Sequence, residues 1–267
     1  MKHVVLTLLL RRLMRKDSAL CVLDTHAGIG KYNLASEQAL KTGEFHGGIG
    51  SLMKAHSLPE LFEPYLGAVR QCGCRPDIET EPGWYPGSPW IARHFLRPGD
   101  RLVLSELHAE DVATLRTTFA GDRQVSVHHL DAYSALKAFL PPRERRGLVL
   151  IDPAFEVENE FELAAAGLAE AVRRFATGVF AVWFPIKERG PVEIFYDDCR
   201  RAGFARMLSV ELIVLPELLP GRLNGCGMLI VNPPWQLDAD LSIVLPVLRQ
   251  NLGSGSGSEK TAWLAGP

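Results

Sequence analysis

The chain has no run of about 20 apolar residues, the length that crosses a bilayer, although 47% of its 267 residues are hydrophobic. It also has little net charge, because 29 Lys and Arg stand against 31 Asp and Glu to give −2. A global attraction to nucleic acid is therefore excluded, and any such binding must use a local basic face. The cysteines are odd in number, at Cys21, Cys72, Cys74, Cys199 and Cys226, and Cys72-Gly73-Cys74 has no second pair to complete a zinc site. Free thiols in a reducing cytoplasm are expected, and no metal. His3, His26 and His46 lack matched spacing as well. There is no Gly-x-Ser-x-Gly nucleophile turn, no Gly-Lys-Ser/Thr phosphate cradle and no internal repeat.

What the chain does have is alternation. Apolar strand candidates at 19–23, 101–105, 125–130, 147–151, 178–184, 205–215 and 226–231 are interleaved with helical patterns at 109–119, 158–175 and 191–202. This predicts an α/β fold over 1–267: seven strands, mostly parallel, covered on both faces, with an antiparallel hairpin at one edge. Met1 to Leu10 superficially resembles a signal peptide. Its apolar run is short and Arg11-Arg12 follow at once, so it reads as an amphipathic helix on the sheet. Gly253 to Ser258 reads as a flexible link before a short last segment, Thr261-Ala262-Trp263-Leu264. The first two strands are separated by roughly 70 residues, far more than one helix needs. Helical patterns near 49–56 and 59–71 lead into a Pro- and Gly-rich loop from Arg75 to Pro89, and 36–80 reads as an inserted helical subdomain beside the binding crevice.

The chemistry gathers at strand ends. The first strand runs into Asp24-Thr25-His26-Ala27-Gly28-Ile29-Gly30, an acidic residue and a Gly-x-Gly turn of the kind that opens a nucleotide site. Asn33 stands where the dinucleotide fingerprint has its third glycine, so S-adenosylmethionine, a nucleoside without a phosphate chain, fits better than NAD. The second strand ends at Glu106, placed to accept ribose hydroxyls, or simply solvated. The third ends at Asp131-Ala132, where the carboxylate either meets an adenine amino group or caps the next helix. The fourth ends at Asp152-Pro153-Ala154-Phe155. A carboxylate, a proline carbonyl and an aromatic ring are the parts needed to hold a flipped adenine by its amino hydrogens and its face. Asn232-Pro233-Pro234-Trp235 is the same kind of tetrapeptide, but it follows the seventh strand, two places from the fourth, and reads as a rigid turn. Basic groups at Arg143, Arg145-Arg146, Arg173-Arg174 and Lys187-Arg189 are solvated faces, with those near strand ends four and five able to meet RNA phosphates.

These segments, with Lys2-His3, Tyr85-Pro86-Gly87-Ser88-Pro89, Glu106-Leu107-His108 and Arg146 to Pro153, occur in the order found in a known family. The sequence resembles the bacterial 23S ribosomal RNA adenine-N6 methyltransferases assigned to adenine 2030, earlier described as involved in using external DNA. The resemblance implies a class I, Rossmann-like, S-adenosylmethionine-dependent fold. It also implies a cytoplasmic monomer acting on 23S rRNA before ribosome assembly is complete. By position it implies cofactor contacts at Lys2, His3, His26, Ser88, Glu106, Asp131 and Ala132, beside Asp24, Gly28 and Asp152 read from the strand ends. Asp152, Pro153 and Phe155 would carry the chemistry. Two departures are visible. Family members begin earlier, with an arm rich in His, Tyr and Asn, and they usually carry proline where this chain has Ala154. Proline there would restrict φ. The departures keep open a catalytically weakened cofactor- and nucleic-acid-binding protein linked to external DNA, and a DNA adenine-N6 methyltransferase is the other rival.

Overall fold

The fold is seen in a computed structural model that describes residues 1–75, 81, 83–215, 219, 221–253 and 257–267. The strands are β1 (Cys21–Asp24), β2 (Lys31–Asn33), β3 (Trp84–Pro86), β4 (Arg101–Glu106), β5 (Val125–His129), β6 (Gly147–Ile151), β7 (Val179–Ile186), β8 (Met207–Ile213), β9 (Gly225–Val231) and β10 (Ser258–Ala265). Eight of them form one sheet in the order β10-β8-β9-β7-β6-β1-β4-β5, and β2 pairs with β3 separately. β1, β4, β5, β6 and β7 pair in parallel, while β9 runs antiparallel to both β7 and β8.

Each central strand divides its side chains between two cores, as a period of two demands. On β6, Leu148 and Leu150 face one cluster while Val149 and Ile151 face the other. The first cluster is closed by α1 (Lys2–Leu13), α4 (Glu63–Cys72), α5 (Ser88–Phe95), α6 (Ala109–Thr118) and α10 (Leu237–Leu252). The second is closed by α7 (Ala132–Phe139), α8 (Glu160–Arg174) and α9 (Arg189–Arg201). With both faces covered, the strands can be apolar throughout. Each fully buried Leu or Val contributes about 1.5–3 kcal/mol.

Four sequence expectations need correction. The sheet has eight strands, because the last segment belongs to β10, antiparallel on β8; positions 254–256 of the expected link lie outside the described residues. Trp263 of β10 packs against the first core, and the added strand satisfies the open edge of an apolar β8. The β8–β9 hairpin is therefore internal, with β9 inserted between β7 and β8. The stretch expected as loop up to Pro89 contains β3, and α5 already begins at Ser88. Finally, α1 is buried continuously from Val4 to Leu10 rather than along one stripe, because α4, α5 and α10 all pack against it. A bidentate ion pair from Arg12 to Asp240 (2.6 and 2.5 Å) ties its end to α10. Between β1 and β4 lie the short helices α2 (Glu37–Thr42) and α3 (Ser51–Lys54), with α4 after them. Positions 76–80 of the 36–80 stretch lie outside the described residues.

Candidate active site

The chain leaves β1 toward one side of the sheet, through β4 and β5, and returns on the other side as β6. Between β1 and β6 is thus a topological switch point, where open α/β sheets bind ligands at the carboxyl ends of strands. His26 spans it. The backbone N–H of Asp152 donates to His26 Nδ1 (3.2 Å), and Thr25 N–H donates to Leu150 O (3.1 Å). Burial drives the His26 pKa down to about 4, with Glu106 opposing and Lys2 assisting. At neutral pH the ring is uncharged, as an acceptor for the Asp152 N–H must be.

Asp24 ends β1 and is 1% exposed. Its Oδ1 accepts from the His26 N–H (3.2 Å), whereas its buried Oδ2 has no hydrogen-bond partner among the described residues. Burial raises its pKa to about 6; the Ser88 hydroxyl opposes the rise and the Asp152 charge adds to it. Asp152 itself is pushed up by burial and held down by Lys2, with which it forms an ion pair. That pair uses Oδ2, and Oδ1 makes no hydrogen bond among the described residues. The neighbouring Pro153 carbonyl accepts none there either.

Glu106 is buried rather than solvated. Oε2 accepts from Gly28 N–H (2.8 Å) and Oε1 from Leu107 and His108 N–H (2.7 and 2.9 Å), so the carboxylate braces the glycine turn. Gly28 has φ +58°, and a Cβ there would lie 2.6 Å from the Tyr32 hydroxyl. The β2–β3 pairing and a Gly87 N–H to Gly30 O bond (2.9 Å) strap the Tyr85–Pro89 segment across this turn. In this way Ser88, remote in sequence, is buried beside Asp24. Asp131 caps α7, its Oδ1 accepting from Ser134 N–H (2.9 Å), and Ala132 is the buried first residue of that helix. Hydrogen bonds from the Ser134 side chain and backbone hold the Asp131 pKa low.

Trp183, Phe161 and Tyr65, which sequence reading did not single out, surround Lys2, His3 and Phe155, which it did. Lys2 Nζ lies 5.9 Å from the centre of the Trp183 ring on β7, and Phe155 meets the same ring edge-on at 6.0 Å. Phe155 has φ +54°, which is strained for an aromatic residue, and its ring also packs on Phe161 at 4.7 Å. A recess of about 240 Å³ opens beside it between Val157 and Pro185. His3 Nδ1 is 2.8 Å from the Tyr85 hydroxyl, which is 3.0 Å from that of Tyr65. Burial holds the His3 pKa well below its ordinary value, and Lys2 adds to this. Tyr85 stood inside a quoted segment, and Trp183 was visible as the one indole in an otherwise strongly apolar strand. Nothing local marked either.

Asn232-Pro233-Pro234-Trp235 does lie two strands from β6. Direction separates them further. Val231 pairs with Phe180 near the start of β7, so the tetrapeptide leaves the sheet at the rim opposite Asp152.

Known proteins share this architecture. The family model described as "Ribosomal RNA large subunit methyltransferase D, RlmJ" matches residues 17–265. The chain is 38% identical to the "Ribosomal RNA large subunit methyltransferase J" of Escherichia coli (strain K12) over 265 residues, 99% of this chain and 93% of the relative. It is 37% identical to the protein of the same name from Haemophilus influenzae, with the same coverage. A crystal structure of a Legionella pneumophila protein superposes with a TM-score of 0.89 at 33% identity, covering 98% of this chain and 94% of that one. A probable spermidine synthase from Corynebacterium glutamicum shares the fold alone, with a TM-score of 0.56 at 12% identity over 97% of this chain and 74% of its own. On these matches, spanning both halves of the site, the chain belongs to the RlmJ family of ribosomal RNA large subunit methyltransferases.

Proposed function

We propose that this protein methylates N6 of an adenine in 23S rRNA, using S-adenosylmethionine and acting as a monomer on RNA not yet fully assembled. The family expectation for the target is adenine 2030. The carrying observation is that Asp152 Oδ1 and the Pro153 carbonyl, on adjacent residues at the mouth of β6, are both unengaged among the described residues. An exocyclic amino group offers two hydrogens to match them.

The crevice suits the cofactor. Asp24 offers a buried, unpartnered carboxylate oxygen to a cationic ligand, and Gly28 leaves room for close approach. His26, Ser88, Glu106, Asp131 and Ala132 line the ends of the neighbouring elements, and Lys2 and His3 close the side formed by α1. When bound, S-adenosylmethionine supplies an electrophilic methyl group. The protein's part is positioning. Asp152 and Pro153 take the amino hydrogens and turn the N6 lone pair toward the methyl donor, and fixing reactants about 3–3.5 Å apart accounts for much of such an acceleration. Phe155 and Trp183 give the base an apolar wall. Lys2 fixes the Asp152 rotamer, and the raised Asp152 pKa suits it to hold the departing N6 proton before solvent takes it. Residues 36–80 serve as the subdomain that meets the RNA flanking the target.

The test is transfer of labelled methyl to unmodified 23S rRNA by Asp152→Asn, with duplex DNA assayed beside it. We expect a fall in kcat of about 10²–10⁴-fold, the range of positioned proton acceptors, and no DNA product. Turnover near wild type would sink the assignment of Asp152, and preferential methylation of DNA would sink that of the substrate.

A further inference from the structure

The tetrapeptide at the far rim is not idle structure. Asn232 has φ +54° and is pinned there by Nδ2 donating to Ala176 O (2.9 Å) and Gly178 O (2.8 Å). Gln236 has φ +64°, and its Oε1 accepts from Arg12 Nη1 (2.8 Å). Two left-handed non-glycine residues bracket two prolines, a costly and rigid arrangement. Its result is to hold Trp235 out, 78% exposed and stacked on no ring or cation among the described residues. An indole so displayed gains nothing for folding.

Trp235 borders a cavity of about 560 Å³ whose walls carry Arg12, Arg15, Lys16, Arg145, Arg146 and Arg206. No carboxylate among the described residues lines it. Arg12 is neutralised by Asp240, but the side chains of Arg15, Lys16 and Arg145 form no ion pair among the described residues. Arg206 lies over the Trp263 ring at 5.5 Å, and its buried Nε has no hydrogen-bond partner among the described residues. Arg146 is anchored by donating to Ser18 O (2.7 Å). For a chain whose net charge is −2, this is a strong local concentration of positive charge. Unpaired cations beside an exposed aromatic face are the parts of a single-strand nucleic-acid platform, where cations take phosphates and the ring stacks on a base.

We propose that this groove is a second RNA-binding surface, holding a single-stranded segment of the substrate at the rim opposite the methylated base. It rests on the ribosomal RNA reading for the identity of the strand. β6 connects the two ends, from Gly147 in the groove to Asp152, roughly 17 Å at about 3.3 Å per residue. A single strand long enough to reach from one rim to the other engages both sites, and the oligoribonucleotide used in the test has that length.

The experiment measures binding of a fluorescently labelled single-stranded oligoribonucleotide by anisotropy across a KCl series, with the full chain. Arg15→Ala/Arg145→Ala should lower the slope of log K against log salt by about 1.4, two phosphates at about 0.7 each. Trp235→Ala should weaken binding roughly fivefold to 150-fold, the worth of one stacked base. Arg200→Ala/Arg201→Ala, on α9, serves as the control pair, and thermal melts check folding. In methyl transfer to a long rRNA fragment, the groove variants should raise KM more than they lower kcat. If the wild-type chain binds RNA and both groove variants keep its affinity and slope, the groove proposal is overturned while the reading of Asp152 stands. If the wild-type chain binds no RNA at all, both fall.

Discussion

Replacing Asp24 by asparagine is expected to make the free protein more stable above pH 6 and less able to hold its cofactor. The carboxylate is 1% exposed, and burial lifts its pKa from 3.8 to about 6. A shift of about two units at 1.36 kcal/mol each makes ionised Asp24 a burden of about 3 kcal/mol on the folded state. The sign follows from linkage. The folded acid binds its proton more tightly than the unfolded one, so stability is lost as pH rises from 3.8 to 6 and stays lost above. Asparagine keeps an oxygen for the His26 N–H, although burying its amide hydrogens takes back about 1 kcal/mol. A net gain of about 2 kcal/mol remains at pH 8, roughly 4–8 °C in Tm for a chain of this size. Urea and thermal melts of both proteins from pH 4 to 8 isolate this one titration, since other groups titrate in both. Calorimetry with S-adenosylmethionine should show the affinity loss. A stability difference that is the same at pH 4.5 and at pH 8 would refute the reasoning.

Lys2→Met removes the cation that restrains Asp152, so the acidic limb of kcat/KM should move to higher pH; a profile that stays in place or moves lower contradicts the pairing. Gly28→Ala must place a side chain at φ +58° against the Tyr32 hydroxyl, costing about 1–2 kcal/mol for the backbone alone. Cofactor affinity should fall with it, and adding Tyr32→Phe should recover part of the loss by calorimetry. His26→Phe deprives the Asp152 N–H of its acceptor and should destabilise by about 1–3 kcal/mol in urea melts, with kcat reduced. An unperturbed melt would mean that the bridge across the switch point carries no weight.

Much of this molecule could be read without coordinates. Strands that are apolar throughout can only be buried on both faces, so seven segments between helices were enough to indicate a parallel, doubly covered sheet. The acidic residues at successive strand ends announced the crevice, because strand ends in one parallel sheet share a rim. β10 was hidden, since a short segment after Gly and Ser has no local signature until the open edge of β8 pairs with it. The bracing of the glycine turn by Glu106 was hidden as well, because Gly28, whose N–H it accepts, lies 78 residues away.

Composition and periodicity by themselves determined the class of fold, the strand-end carboxylates and the Asp152-Pro153 motif, because these depend on local residue order. Strand order already favoured Asp152-Pro153, and tertiary structure alone decided that the second, similar tetrapeptide lies at the other end of the strands. β9 enters the sheet antiparallel, so Asn232-Pro233-Pro234-Trp235 emerges at the opposite rim. It also decided that Lys2 meets Asp152 across 150 residues. Strand direction and long-range pairing arise from how the whole sheet closes, and no window of sequence contains them.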